Sequence, residues 1–286
     1  VWDKKNGLTS KGTAANLNVA ELESFFKMPV EHNLVLSADW DLAYSQNARG
    51  FLNVRQHSGD IVLPYRKQAL GLNGLTLQTR FQNGRIDNQI NGKTRYGNIV
   101  GNVGISQQFG NSIMQAPISG NLKIDIPDLA ALKNLMPVGQ SISGTLNADT
   151  IISGRVGEPQ LRGNLNGDNL YYVNRDLGVI LDNGSLKSHL DGQRWHIDSL
   201  TFDRKGGKIS LAGDAAYVNS APNVNAKITV AQYPILDQAS RRLTVSGNTD
   251  ISYNSEGITL TGSLKTDMGR FGFQESSAPT LDDDVI

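Results

Sequence analysis

Cysteine is absent from the 286-residue chain, which excludes disulfides, thiol nucleophiles and cysteine-ligated zinc. The absence suits an oxidising compartment. Neither sign of charge is in excess: 27 Lys and Arg balance 27 Asp and Glu. No basic run stands out, so the electrostatic footprint of a nucleic-acid binder is missing. No stretch approaches the roughly 20 apolar residues that span a bilayer as a helix. Large aromatics are sparse, with three Trp and eight Phe, too few to fill the core of a thick sandwich. The chain opens on Val1 instead of Met and carries no signal peptide. We read it as a piece of a longer protein whose targeting segments lie elsewhere.

What the chain has in abundance is period-two alternation, the pattern of strands with one apolar and one polar face. Leu34, Leu36, Trp40 and Leu42 share one parity, as do Leu122, Ile124 and Ile126. Ile142, Leu146 and Ile152 follow, then Leu161 and Leu165, and then Leu186. Ile209 and Leu211 precede Ile228 and Val230, and Ile251, Ile258, Leu260 and Leu264 close the series. Glycine or alanine takes many of the other inward positions, among them Ala148, Gly163, Gly213 and Gly262. Turn chemistry separates the runs at Asn83-Gly84, Asn91-Gly92, Asn166-Gly167, Asp182-Asn183-Gly184, Asp191-Gly192 and Glu256-Gly257, because tight hairpins favour residues that tolerate positive φ. Connections this short predict an antiparallel meander and leave no room for crossover helices.

Three segments break the alternation. VAELESFFKM places Val19, Leu22, Phe25 and Phe26 at helical spacing, and PDLAALKNLM does so with Leu129, Leu132, Leu135 and Met136 behind Pro127. YPILDQASRR, from Tyr233 to Arg242, is a weaker third case. We expect two or three short amphipathic helices capping the sheet. Their surroundings suggest a loose internal repeat starting near residues 15, 120 and 224. An apolar sheet face must be covered, closed or curled over itself. With small residues inside, a curled sheet leaves an open groove.

Catalytic and metal chemistry find little support. His32, His57, His189 and His196 are dispersed, and although His189 and His196 could meet across a hairpin, both alternate with inward residues and should face solvent. Asp282–Asp284 lacks the spacing of a calcium loop. No dinucleotide fingerprint or nucleophile elbow is present. We expect no enzyme activity, no cofactor and no metal.

The segment from Ile142 to Leu186 resembles the repeating unit of the TamB family, within the wider AsmA-like group. The family's order of motifs is matched at Gly144 to Leu146, Gly157 to Leu165, Leu177-Gly178 and Asn183 to Leu186. The closing stretch resembles the segment ahead of the family's C-terminal domain, with Pro279, Leu281, Asp284 and Val285 in place. The resemblance is strong from about Gly120 to Ile286 and looser before it. It implies a U-shaped sheet, the β-taco, with an apolar interior, here a single elongated fragment over residues 1–286 that includes neither the membrane anchor nor the C-terminal domain. It implies a periplasmic, inner-membrane-anchored protein reaching the outer membrane, and transport of phospholipid between the two. The implied partner is TamA, an Omp85-type barrel, engaged through the missing C-terminal end. Two other roles stay open, an assembly factor pairing with strands of outer-membrane proteins and a structural β protein that transports nothing.

A magnitude supports the conduit. Exposing one chain of about 16 carbons to water costs on the order of 12 kcal/mol. A continuous apolar lining removes most of that barrier and needs no reactive group. The 21 alternating residues named above, from Leu34 to Leu264, are the expected lining.

Overall fold

In a computed structural model, the described residues are 2–3, 7–22, 31–45, 47–63, 67–106, 112–218, 221–255 and 257–272. Nineteen strands account for most of them. The first seven are β1 (Trp2–Asp3), β2 (Gly7–Asn18), β3 (Glu31–His32), β4 (Val35–Tyr44), β5 (Ala48–Ser58), β6 (Ile61–Leu63) and β7 (Gln68–Ala69). Next come β8 (Thr76–Gln82), β9 (Arg85–Lys93), β10 (Asn98–Ser106), β11 (Ile118–Ile126), β12 (Gln140–Arg155) and β13 (Glu158–Asn174). The last six are β14 (Val179–Gly192), β15 (Arg194–Arg204), β16 (Gly207–Val218), β17 (Ala221–Asp237), β18 (Arg241–Asn254) and β19 (Gly257–Phe271).

Sixteen of these strands form one antiparallel sheet, paired in sequence order once β3, β6 and β7 are set aside in a small three-stranded sheet of their own. This is the expected meander. At about 4.8 Å per step, its fifteen steps extend roughly 70 Å along the sheet.

The strands are longer than the turn signals suggested. Asn91-Gly92, Asn166-Gly167 and Asp182-Asn183-Gly184, read as turns, lie inside β9, β13 and β14. The reason at Gly184 is close packing: a Cβ there would stand 2.5 Å from Cε1 of Phe202 and 2.6 Å from Cβ of Leu170. Glycine lets the two side chains lie directly on the backbone. Asn83-Gly84 and Asp191-Gly192 do sit at hairpins, joining β8 to β9 and β14 to β15. Of the Glu256-Gly257 pair, Gly257 opens β19 opposite Asn254, and Glu256 lies outside the described residues.

The helices differ from expectation in a graded way. The first survives among the described residues as a single α turn, α1 (Val19–Leu22), with Phe25 and Phe26 outside them. The second is a 3₁₀ helix, Leu129–Leu135, capped by the Asp128 carboxylate, which accepts from the amide of Ala130 at 2.8 Å. Asp128, not Pro127, takes the capping position. The third is not a helix. Tyr233–Asp237 continues β17, with Tyr233 opposite Val245 and Leu236 opposite Leu243. Its three-residue spacing arises because the register shifts between Pro234 and Leu236, where proline can omit its ladder hydrogen bond.

Register shifts recur across the sheet, near Gly144, Asn169, Asn183, Asp198 and Gln232. Asn169, Asn183 and Gln232 hold left-handed φ of 52°, 48° and 45°. Bulges bend a strand and raise its twist, so a series of them curls the sheet. Between β14 and β17 the curl closes on itself. The β15–β16 hairpin stops at Lys205 and Gly206, and beyond its tip Val179 of β14 pairs with Leu236 of β17.

Apart from the β10–β11 connection, which holds a 3₁₀ turn at Ile113–Gln115, the longer connections, including α1, the Leu129–Leu135 helix and the small sheet, fall at one rim of the main sheet. Val19, Leu34, Tyr96, Leu129 and Tyr233, all buried, lie at this capped rim. The opposite rim carries mainly short hairpins.

Candidate functional site

Residues directly opposite on neighbouring strands point to the same face, so the ladder registers trace which side chains share a surface. One row runs Ala38, Val54, Leu77, Ile90, Gly101, Leu122, Thr150, Gly163, Leu190 and Trp195. It continues through Ala215 and Val224 to Tyr253 and Ile258. A second row joins Ile99, Ile124, Ala148, Leu165, Ser188, Ile197, Gly213, Ala226, Ile251 and Leu260. A third holds Ile126, Leu146, Gly167, Leu186, Leu200, Leu211 and Ile228.

The remaining expected lining residues join the same face. Trp40 and Leu42 stand on β4 opposite Leu52 and Gly50, and Leu36 lies two residues from Ala38. Ile152 pairs with Leu161, and Ile209 with Val230, which in turn faces Gly247 opposite Leu264. Ile142, beyond the bulge at Gly144, packs with the inner residues. Leu34 lies just before β4 and is buried at the capped rim. A single face thus carries the apolar side chains of nearly the whole sheet.

The sequence reading passed over several members of this face on β5 to β10: Leu52, Val54, Leu77, Ile86, Ile90, Ile99, Val103 and Ile105. Their signal was present as short alternations within FLNVRQ, TLQTRF and RIDNQI. Polar Thr79 and Asn88 interrupt the parity there. In the fold these two face each other, the Thr79 hydroxyl donating to Asn88 Oδ1 at 2.9 Å and Asn88 Nδ2 donating to the Val103 carbonyl at 3.1 Å. The hydroxyl of Ser188 donates likewise to the Leu165 carbonyl at 2.7 Å. Thr79, Asn88 and Ser188 thus turn their polar atoms onto protein acceptors instead of presenting them to the inner surface.

Exposure across this face is graded. Near the capped rim, Leu129, Leu170, Leu186, Phe202 and Tyr233 form a buried cluster, against which Ile126, Ile142, Leu146, Leu165, Ile209 and Val230 pack. Toward the opposite rim, Ile124, Ile152, Leu161, Leu211, Ile228 and Ile251 are half-buried. Ile258, Leu260 and Leu264, on the last strand, are 69%, 65% and 64% exposed. Trp195 lies on this face with its indole N–H buried and without an acceptor among the described residues.

The closure between β14 and β17 is held by polar groups. The Tyr233 hydroxyl donates to the Ile180 carbonyl at 3.2 Å and accepts from the Asp182 amide at 3.1 Å. Burial pushes this phenol above its ordinary range. Arg204 reaches Asp182 at 3.4 Å and Asp237 at 3.1 Å, and Lys205 reaches Asp237 at 2.5 Å. Hydrogen bonds from Lys205 and then Arg204 hold the Asp237 carboxyl below the usual carboxylate range.

The histidines meet as the hairpin geometry suggested. His189 and His196 are ladder partners on the outer face, with rings stacked at 4.7 Å. His189 Nδ1 lies 2.9 Å from Asp198, and His196 contacts Asp214. Among the described residues no group of three or more His, Asp or Glu is placed to hold a metal ion, and no helix is long and apolar enough to cross a membrane.

No curated protein and no solved structure matches the chain. A family model does, that of the TamB N-terminal domain, over residues 9–166. The match takes in the first strands, where the resemblance was looser, and runs on into its stronger part up to β13. Covering more than half of the chain and falling on a one-sided antiparallel sheet, it shows that this chain belongs to the TamB family.

Proposed function

We propose that the apolar face is a path for phospholipid acyl chains between the inner and outer membranes of a bacterial envelope. The observation that carries this reading is the continuity of the inner face, where one row runs from Ala14 on β2 to Ile258 on β19 through apolar, small or aromatic residues and Thr150. An acyl chain lying across the strands meets hydrocarbon at each step, so the on-the-order-of 12 kcal/mol cost of exposing it to water is largely avoided. Half-buried side chains such as Ile152 and Leu161 have area left to give to a guest. The family is periplasmic, and TamA at the outer membrane is the expected receiver. No step requires catalysis.

Site-specific photocrosslinking in cells tests this. A crosslinker replacing Leu161 should capture phospholipid, while one replacing its outward neighbour Arg162 should not. Equal capture at both positions, or none at Leu161, overturns the proposal.

A second reading has its own support. Among the described residues β19 stands at the edge of the sheet and is exposed along its full length, and exposed edges accept additional strands. A role in assembling outer-membrane proteins predicts crosslinks from β19 to client polypeptide instead of lipid from Leu161.

A further inference from the structure

We propose that the polar face of β8 to β11 binds an extended, neutral polysaccharide, with Gln78, Gln89, Asn102 and Asn121 as its hydrogen-bonding ladder. The four are consecutive ladder partners: Gln78 opposite Gln89, Gln89 opposite Asn102, Asn102 opposite Asn121. They form one straight row on the face opposite the apolar one, since each is a direct neighbour of an inner residue. The row lines a depression of about 540 Å³, together with Arg80, Arg85 and Asp87.

Its neighbours spend their polar groups on one another. Asn53, next in the row, donates to Asp39 at 2.8 Å, Arg85 holds Asp87 at 2.6 Å, and Lys123 holds Asp149 at 3.0 Å. The four amides have no side-chain hydrogen bond among the described residues. Each amide presents two donors and an acceptor with two lone pairs. A row of them is therefore a dense, uncharged array of unused hydrogen-bonding sites.

The spacing selects the ligand. Cross-strand neighbours repeat at about 4.8 Å, while an extended peptide rises about 3.3 Å per residue, so a peptide laid along the row falls out of phase. A β-1,4-linked pyranose chain is a flat ribbon whose monomer repeat lies close to the inter-strand distance. Its hydroxyl and acetamido groups match amide donors and acceptors. Nucleic acid calls for a basic stripe, and here Asp87 neutralises Arg85. Phe51, 38% exposed on the same polar face, stands opposite Arg80 at the end of the depression. It provides an aromatic surface for the apolar face of a sugar ring. The site lies on the side of the sheet away from the apolar path and does not depend on lipid transport.

Calorimetric titration of the 286-residue chain with the soluble β-1,4-linked hexamer of N-acetylglucosamine tests the proposal. Saturable binding is expected, with the α-1,4-linked glucose hexamer not bound. The double variant Gln89→Ala, Asn102→Ala should weaken binding by about ten-fold or more, and Phe51→Ala should weaken it as well. Asn164→Ala, on the same face but off the row, should leave it unchanged. The amides are surface groups, so thermal unfolding of the double variant should match the parent, which separates lost binding from lost fold. No saturable binding of the β-linked hexamer, equal binding of the α-linked one, or full binding by the double variant overturns the proposal.

Discussion

Val179 and Leu236 are ladder partners although two strands separate β14 from β17. Their pairing converts part of an open sheet into a local ring, with Tyr233 fully buried beneath it. The ring closes the apolar face at the capped rim and leaves the opposite rim to the half-buried side chains.

The Tyr233 hydroxyl ties β17 to β14 through two hydrogen bonds. Tyr233→Phe removes the donor to the Ile180 carbonyl and strands the Asp182 amide. The expected loss is about 1–3 kcal/mol, read as a lower urea midpoint at unchanged slope. Tyr233→Ala should cost about 3–5 kcal/mol. A midpoint for the Phe variant equal to that of the parent would show that the hydroxyl does not hold the closure.

The pH dependence of stability has two signed arms from this region. The folded-state pKa of Asp237 is lowered from 3.8, so its contribution is present above that value and is lost as pH falls through the lower folded one. The folded-state pKa of Tyr233 is raised from 10.0. Its contribution is present below 10.0 and is lost as pH rises above it. Asp237→Asn should flatten the acid arm and Tyr233→Phe the alkaline arm of a stability profile, each leaving the other arm intact.

Gly184→Ala should destabilise the protein by about 1–3 kcal/mol, because overpacking drives side chains off their rotamers and the new methyl would collide with Phe202 and Leu170. Gly206, at the β15–β16 turn, has φ of 84° and no neighbour within 4 Å of an added Cβ. Gly206→Ala meets only backbone strain, about 1–2 kcal/mol. Paired denaturation curves should show Gly184→Ala as the less stable of the two.

Ile228→Asp places a carboxylate on the inner face between Leu211 and Thr249. It should block growth of a strain that depends on this pathway while the protein stays at normal abundance. Leu161→Arg, nearer the open rim, should do the same. Normal growth with either variant at parental abundance contradicts an acyl path along this face.

Much of this was readable before the fold was known. The parity of Leu122, Ile124 and Ile126, or of Val224, Ala226 and Ile228, is a local property of an extended backbone and needs no partner to be recognised. The Tyr233 segment was misread as helical because a register shift between strands changes the apparent period, and the partner that imposes the shift, β18, begins only after the turn. Asn166-Gly167 and Asp182-Asn183-Gly184 looked like turns because turn and bulge draw on the same residues. The chain continues straight through both because long neighbours pair on each side. The amide row was not readable at all, since Gln78, Gln89, Asn102 and Asn121 are separated in sequence and only the registers align them.

By itself the amino-acid order determined a one-sided antiparallel sheet, because side chains alternate across a strand every two residues and tight turns select Asn and Gly. Tertiary structure decided where that sheet bends, where it closes, and which polar groups remain unspent. Those outcomes depend on hydrogen bonds and contacts between segments distant in the chain, such as Tyr233 with Ile180 and Val179 with Leu236, and no local pattern encodes the distance between them.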